Sequence, residues 1–171
     1  MAGCTVLIGG DIYPGGQNAD AFAKGEVETL FGPIIPALDG ADLVVANLES
    51  PLTESETPIV KTGPCLKGPP AAAETMKSAG FDAVTLANNH IMDHGTSGLR
   101  DTLKALGDAG IEYFGGGGDL ASARKPLVVE RNGVSVALLG MADLEFSIAG
   151  PRRWGACPLD IIWYVRFMRE W

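Results

Sequence analysis

At 171 residues, 46% hydrophobic and 20% charged, the chain is long enough for one domain whose core takes roughly 70% of the unfolded surface out of water. A formal charge of −8, with 13 scattered Lys and Arg against 21 Asp and Glu, excludes a polyanion gripped by bulk charge and leaves no basic stripe for nucleic acid. The 23 Gly and 11 Pro promise a fold with many turns.

In chain order, residues 4–10 (CTVLIGG) read as a buried strand closing on glycines. Residues 31–38 (FGPIIPAL) read as a short helical or turn segment broken by Pro33 and Pro36, and 41–49 (ADLVVANLE) as a second strand. Proline at the start and Gly80 at the end frame a helix over 69–80, before a third strand at 81–88 (FDAVTLAN). The strongest helix signal is 96–110: Thr96 is placed to cap it, Leu99, Leu103 and Leu106 share a face, and Gly110 ends it. A short strand at 111–115 precedes two β runs over 126–140, split by Asn132-Gly133, a hairpin turn signal. Residues 158–171 carry Ile161, Val165 and Met168 at amphipathic helical spacing. Strands alternating with helices and followed by a hairpin predict an α/β fold with a mainly parallel sheet plus that hairpin. The segment from Ser50 to Pro70 reads as a long polar surface loop.

Cys4, Cys65 and Cys157 lie too far apart for zinc-ribbon spacing, and an odd count reads as free thiols in a reducing compartment. The first strand follows the amino terminus with no basic leader, and no run reaches the roughly 20 apolar residues of a membrane span. The expectation is a cytoplasmic chain without a membrane span.

Ligands of open α/β sheets gather at the carboxyl ends of the strands. Here those ends carry Gly9-Gly10-Asp11, Asn47-Leu48-Glu49, Asn88-Asn89-His90 followed by Asp93 and His94, and Asp143-Leu144-Glu145. Taken singly each has an ordinary use: a cap, a loop start, a tight turn, or, for Asp143 and Glu145, surface charge. Together they offer the oxygen and nitrogen donors that suit Mn, Fe, Zn or Mg. Both histidines of the chain, His90 and His94, fall in the one stretch VTLANNHIMDHG. Lys61 and Lys67, in the long loop, are candidates to meet an anionic substrate. The glycine run GGGGD at 115–119 lacks the Lys-Ser/Thr of a P-loop and reads as a turn.

The stretches GGDIY, VVANLESPLT, GFDAVTLANNHIMDHGTSGLRDTLKALGDAGI and KPLVVERNGVSVALLG resemble the CapA family of capsule and poly-γ-glutamate synthesis proteins, within the calcineurin-like metallophosphoesterase superfamily. The resemblance implies the N-terminal half of an α/β/β/α sandwich, in a single domain over 1–171 that is truncated on its C-terminal side. It implies a divalent metal held by Asp11, Glu49 and Asn89, with Glu49 where the superfamily has a bridging aspartate. His90 becomes the proton donor, oriented by Asp93; Asn47 and Asn88 shape the loops or touch substrate; His94 faces solvent. Two departures stand out. Tyr13 occupies the place of a superfamily histidine, and the Gly-His-x-His type of motif that would complete the site is missing. Three function classes follow: a metal-dependent hydrolase acting on a phosphoester or an anionic polymer, a non-catalytic accessory or scaffold protein of polymer synthesis, and an inactive fragment. Trp163, Phe167 and Trp171 make the last helix a candidate for self-association.

Overall fold

The computed structural model describes residues 3–143 and 145–170. Its centre is a sheet of four parallel strands in sequential order: β1 (Val6–Ile12), β2 (Leu43–Leu48), β3 (Ala83–Thr85) and β4 (Glu112–Phe114). β2 is LVVANL, apolar on both faces, as a strand covered from both sides must be. Between β1 and β2 the chain makes three short helices, α1 (Ala19–Lys24), α2 (Val27–Phe31) and α3 (Ile35–Asp39). Pro33 and Pro36 sit in the first turns of the 3-10 turn Gly32–Ile34 and of α3, where a missing N–H breaks no helical bond. One helix then joins each further pair of strands, α4 (Ala72–Ser78) and α5 (Gly95–Ala109).

These helices cover one face. Phe22, Phe31, Leu38, Met76, Leu99 and Leu106 form one buried cluster with Val44, Ala46 and Val84 of the sheet. The alternate residues of the strands, Leu43, Val45, Ala83 and Phe114, point the other way, against Leu127, Val129, Val136 and Leu138. After β4 come the short β5 (Gly116–Gly117) and α6 (Leu120–Arg124). The residues on the second face then belong to an antiparallel hairpin, β6 (Leu127–Arg131) and β7 (Val134–Leu138). At its tip Asn132 and Gly133 have φ of 51° and 75°, the left-handed pair that a two-residue turn requires. Helices, parallel sheet and hairpin therefore stack as three layers, as the α/β reading with a mainly parallel sheet anticipates. β8 (Gly155–Ala156) pairs with β5, and α7 (Ile161–Glu170) ends the described chain.

Several elements differ from the sequence expectation. β1 continues past its glycines to include Asp11. The register with β2 advances from Ile8↔Val45 to Asp11↔Asn47, so one extra residue is accommodated in β1. Gly9 and Gly10 make that bulge inexpensive, and it carries Asp11 opposite Asn47. α5 starts one residue earlier than Thr96, with His94 as a cap whose side chain makes no capping hydrogen bond. α1, α2, α6, β5 and β8 have no counterpart in the sequence reading. The 50–70 loop is polar only in its outer part: Ser50, Pro51, Leu52 and Thr53 at its root are buried, and the Leu52 amide donates to Thr102 Oγ1 at 2.8 Å. On α7, Ile161, Val165 and Met168 face outward, while Trp163 and Phe167 are the partly buried pair. Trp171 and Leu144 lie outside the described residues. Among those residues no helix is long and apolar enough to cross a membrane.

Candidate functional site

The carboxyl ends of β1, β2 and β3 lie side by side because the three strands are parallel neighbours. Asp11, one residue before the end of β1, is exposed, and Asn47 Nδ2 donates to its Oδ1 at 2.8 Å. Asn47 Oδ1 in turn accepts from Asn88 Nδ2 at 3.0 Å, and the same amide nitrogen donates to Leu48 O at 2.8 Å. Asn88 Oδ1 then accepts from the backbone N–H groups of His90 and Ile91, at 3.0 and 2.9 Å. Asn88 is 8% exposed, and with four bonds to protein groups it holds the turn after β3 as well as the end of β2. An asparagine in this turn thus does both the ordinary job and a site-building one.

The His90 ring is fixed from behind. Its Nδ1 lies 2.7 Å from Asp93 Oδ2, and that oxygen also accepts the Leu66 N–H at 2.7 Å. Two lone pairs at 2.7 Å would repel, so Nδ1 carries the proton and donates, leaving Nε2 as the free end of the imidazole. Lys61 Nζ hydrogen-bonds Asp93 Oδ1 and stands 3.1 Å from His90 Nδ1. The side chains of Asp93 and Lys61 are 0% and 3% exposed, and that of His90 15%. The Lys61 ammonium therefore points inward, with the Phe146 ring centroid 5.1 Å away. Lys67 is at the surface, paired with Glu56 at 2.6 Å, and holds that carboxyl below its usual range.

Glu49 follows β2 directly, and its amide donates to Ile12 O at 3.0 Å, which places it beside the end of β1. Asn89 is exposed and lines a cleft of about 330 Å³ with Ala87, Asn88, Ala142, Asp143 and Glu145. Asp143 and Glu145, read from sequence as surface charge, thus face the same cleft as Asn89. Their position after the second hairpin strand was the available signal. Glycines bring them there: a Cβ on Gly140 would fall inside contact distance of Thr85 Oγ1 and 3.2 Å from the Gly115 Cα. Among the described residues no three His, Cys, Asp or Glu side chains come together as a set able to hold a metal ion. The chain offers separate oxygen donors along the edge, in Asp11, Glu49 and Asn89, of the type that hard and borderline divalent ions accept.

His94 is not solvent-facing. It is 4% exposed at the start of α5, and its Nδ1 has no hydrogen-bond partner among the described residues. The Gly115–Gly118 run is a close-packing device: a Cβ on Gly116 would sit 2.8 Å from Leu86 Cβ, and Asp119 caps α6 by accepting the Ser122 N–H at 2.7 Å. That bond holds the Asp119 carboxyl below its ordinary value. Cys157 is buried, which pushes its thiol up to about 11.

A family model described as bacterial capsule synthesis protein PGA_cap matches residues 5–157. The capsule biosynthesis protein CapA of Bacillus anthracis is 32% identical over 142 residues, covering 81% of this chain and 34% of that protein. The PGA biosynthesis protein CapA of Bacillus subtilis is 28% identical over 138 residues, covering 80% of the chain and 36% of that protein. A probable polyglutamine synthesis accessory protein of Mycobacterium tuberculosis is 32% identical over 115 residues, 67% of the chain and 30% of that protein. The chain thus spans about a third of the length of the curated relatives it matches. A match running from the start of β1 to the end of β8, through every strand end that carries the polar line, shows that the chain belongs to the bacterial capsule synthesis protein PGA_cap family.

Proposed function

We propose that the chain serves the synthesis of an anionic polymer of the poly-γ-glutamate type and contributes the acid–base part of a hydrolase site, acting on a phosphoester or an amide linkage. The observation that carries this reading is the hydrogen-bonded line from Asp11 through Asn47 and Asn88 to His90, closed by Asp93. It supports an imidazole held through Nδ1, with no hydrogen bond engaging Nε2 among the described residues, beside the strand ends where ligands of such sheets bind. Asp93 sets the tautomer, so Nε2 takes up a proton from water and delivers it to a leaving group. Asp11, Glu49 and Asn89 are the donors this chain would offer a divalent ion (Mn, Fe, Zn or Mg). The ion, when bound, would polarise the phosphoryl or carbonyl oxygen under attack. Three such donors would hold one ion weakly with a position open, and a two-ion centre would need further ligands.

The test compares His90→Gln with Asp11→Ala, in this chain and in a full-length relative carrying the equivalent changes. Turnover of bis-p-nitrophenyl phosphate and of poly-γ-glutamate is measured with Mn²⁺, beside metal content. His90→Gln should cut turnover about 10²–10⁴-fold, the usual share of general acid catalysis, with metal content kept. Asp11→Ala should lower both. Equal metal loss in the two variants would make His90 a ligand. A second reading, a non-catalytic accessory protein, is favoured by the lack of a convergent three-ligand set among the described residues. It predicts polymer binding without turnover, indifferent to His90→Gln.

A further inference from the structure

Lys61 belongs to a loop that needs no ammonium for its attachment. The Ile59 N–H already donates to Asp93 O at 2.9 Å and the Leu66 N–H to Asp93 Oδ2 at 2.7 Å, so two backbone bonds fasten the loop on either side of it. Its side chain nonetheless leaves solvent, although the neighbouring Val60 is fully exposed. A lysine gives up hydration only for a strong partner, and the acceptor within reach is Asp93; the Nδ1–H of His90, 3.1 Å away, donates to the same carboxylate. Asp93 has no exposed surface. It accepts from the ammonium on one oxygen, and from the imidazole and an amide on the other. With the ammonium removed, the carboxylate would be a buried charge held only by the imidazole and one amide, and would turn towards water. The imidazole bonded to it would turn as well.

We propose that Lys61 is a positioning residue for His90: its ammonium pins the Asp93 carboxylate in the plane that receives the Nδ1 proton, and so aims Nε2 at the strand-end edge. The Phe146 ring over the ammonium closes this compartment from the outer side. Lys61 thereby joins the 50–70 loop to the proposed chemistry without touching substrate. Its importance for activity rests on the hydrolase reading above; its hold on the ring does not.

The chain contains only two histidines, so proton–nitrogen spectra of the imidazoles resolve His90 against His94 as an internal reference. In the parent, the buried and hydrogen-bonded Nδ1–H of His90 should give a downfield resonance protected from exchange with water. Lys61→Met should accelerate that exchange at least tenfold or abolish the resonance, with amide shifts confined to residues 59–66 and 88–94 and the His94 carbon-bound ring signals unchanged. Lys61→Arg, which keeps a charged donor, should restore most of the protection. Lys61→Gln, a neutral donor, covers the case in which the methionine variant does not fold, and should show the same loss. An unchanged His90 Nδ1–H in Lys61→Gln, or in a folded Lys61→Met, overturns the proposal. So does a failure of Lys61→Arg to differ from the neutral variants. Loss of the resonance together with a full-length relative that hydrolyses nothing would leave Lys61 as proposed and remove the hydrolase reading.

Discussion

A carboxylate with no exposed surface, accepting from an ammonium, an imidazole and an amide, is expensive to disturb one partner at a time. Removing one member of a buried pair leaves the other as an uncompensated charge, at a cost of about 3–5 kcal/mol. Asp93→Ala should therefore lower the stability of the chain by that amount in urea unfolding. It should also loosen residues 59–66, read by faster amide hydrogen exchange, because Leu66 and Lys61 lose their anchor. A loss below about 1 kcal/mol would show that water takes over the role of the carboxylate. The thiols give a second residue-scale expectation. Cys4 and Cys65 are partly exposed, whereas Cys157 is buried with its thiol raised from 9.0 to about 11. At pH 8 a disulfide reagent should label the first two in the native chain and Cys157 only after unfolding. A thiol protonated more firmly in the folded state favours folding fully below pH 9, and that contribution is lost as the pH rises from about 9 towards about 11. Urea midpoints across this range, in the parent and in Cys157→Ala, should diverge only on the alkaline side.

The strands and helices legible in the sequence were those whose signal is local. Apolar β2, the Asn132-Gly133 turn and the Leu99–Leu106 face of α5 each declare themselves within a few residues. β5 does not, because two glycines become a strand only by pairing with Gly155 and Ala156, far along the chain. The same limit hid the inward course of Lys61 and the burial of His94, which depend on where a long loop closes. The strand-end positions of Asp11, Glu49, Asn89 and His90 were readable, since each follows an apolar run. The bulge that turns Asp11 toward Asn47 was not. Gly140 offers a test of how the hairpin meets the sheet. A methyl group there collides with Thr85 Oγ1 and approaches Ala87 Cβ to 3.1 Å and Gly115 Cα to 3.2 Å. Gly140→Ala should cost about 1–3 kcal/mol of overpacking, measured by thermal and urea unfolding. It should also shift the amide resonances of residues 87–89, 142, 143 and 145 on both walls of the cleft. Unchanged stability would mean that the hairpin slides freely over the sheet ends.

At the scale of the molecule, five helices cover one face of the sheet and one hairpin the other, and the cover is uneven. Ile8 on β1 is 74% exposed, so the hairpin, which packs beside Val6, leaves the middle of the first strand uncovered. α7 adds Ile161, Ile162, Val165 and Met168, exposed between 43% and 69%, along an outer face, while its inner face is held by Arg124, 5.0 Å from the Trp163 ring centroid and paired with Asp160 at 2.5 Å. Apolar surface of this extent favours association. The chain is expected to form dimers or larger species in sedimentation experiments, and Ile162→Lys with Val165→Glu should return it towards the monomer with its helical circular dichroism intact. A parent that sediments as a monomer at 100 μM would assign that face no such role.

The line of amides across the strand ends has a direction. Each asparagine gives hydrogen towards Asp11 and receives it from the His90 side, so the dipoles of Asn47 and Asn88 point the same way. An aspartate is the same size and shape but has nothing to give. At 47 it would face Asp11 with a second negative oxygen; at 88 it would abandon Asn47 Oδ1 and Leu48 O. Exchange of one nitrogen for one oxygen thus breaks the wiring while leaving the outline of the site intact. Neighbouring dipoles in such a row polarise one another, so a positive charge arriving beside Asp11 would be felt at the backbone of His90, two strands away, without any atom having to travel.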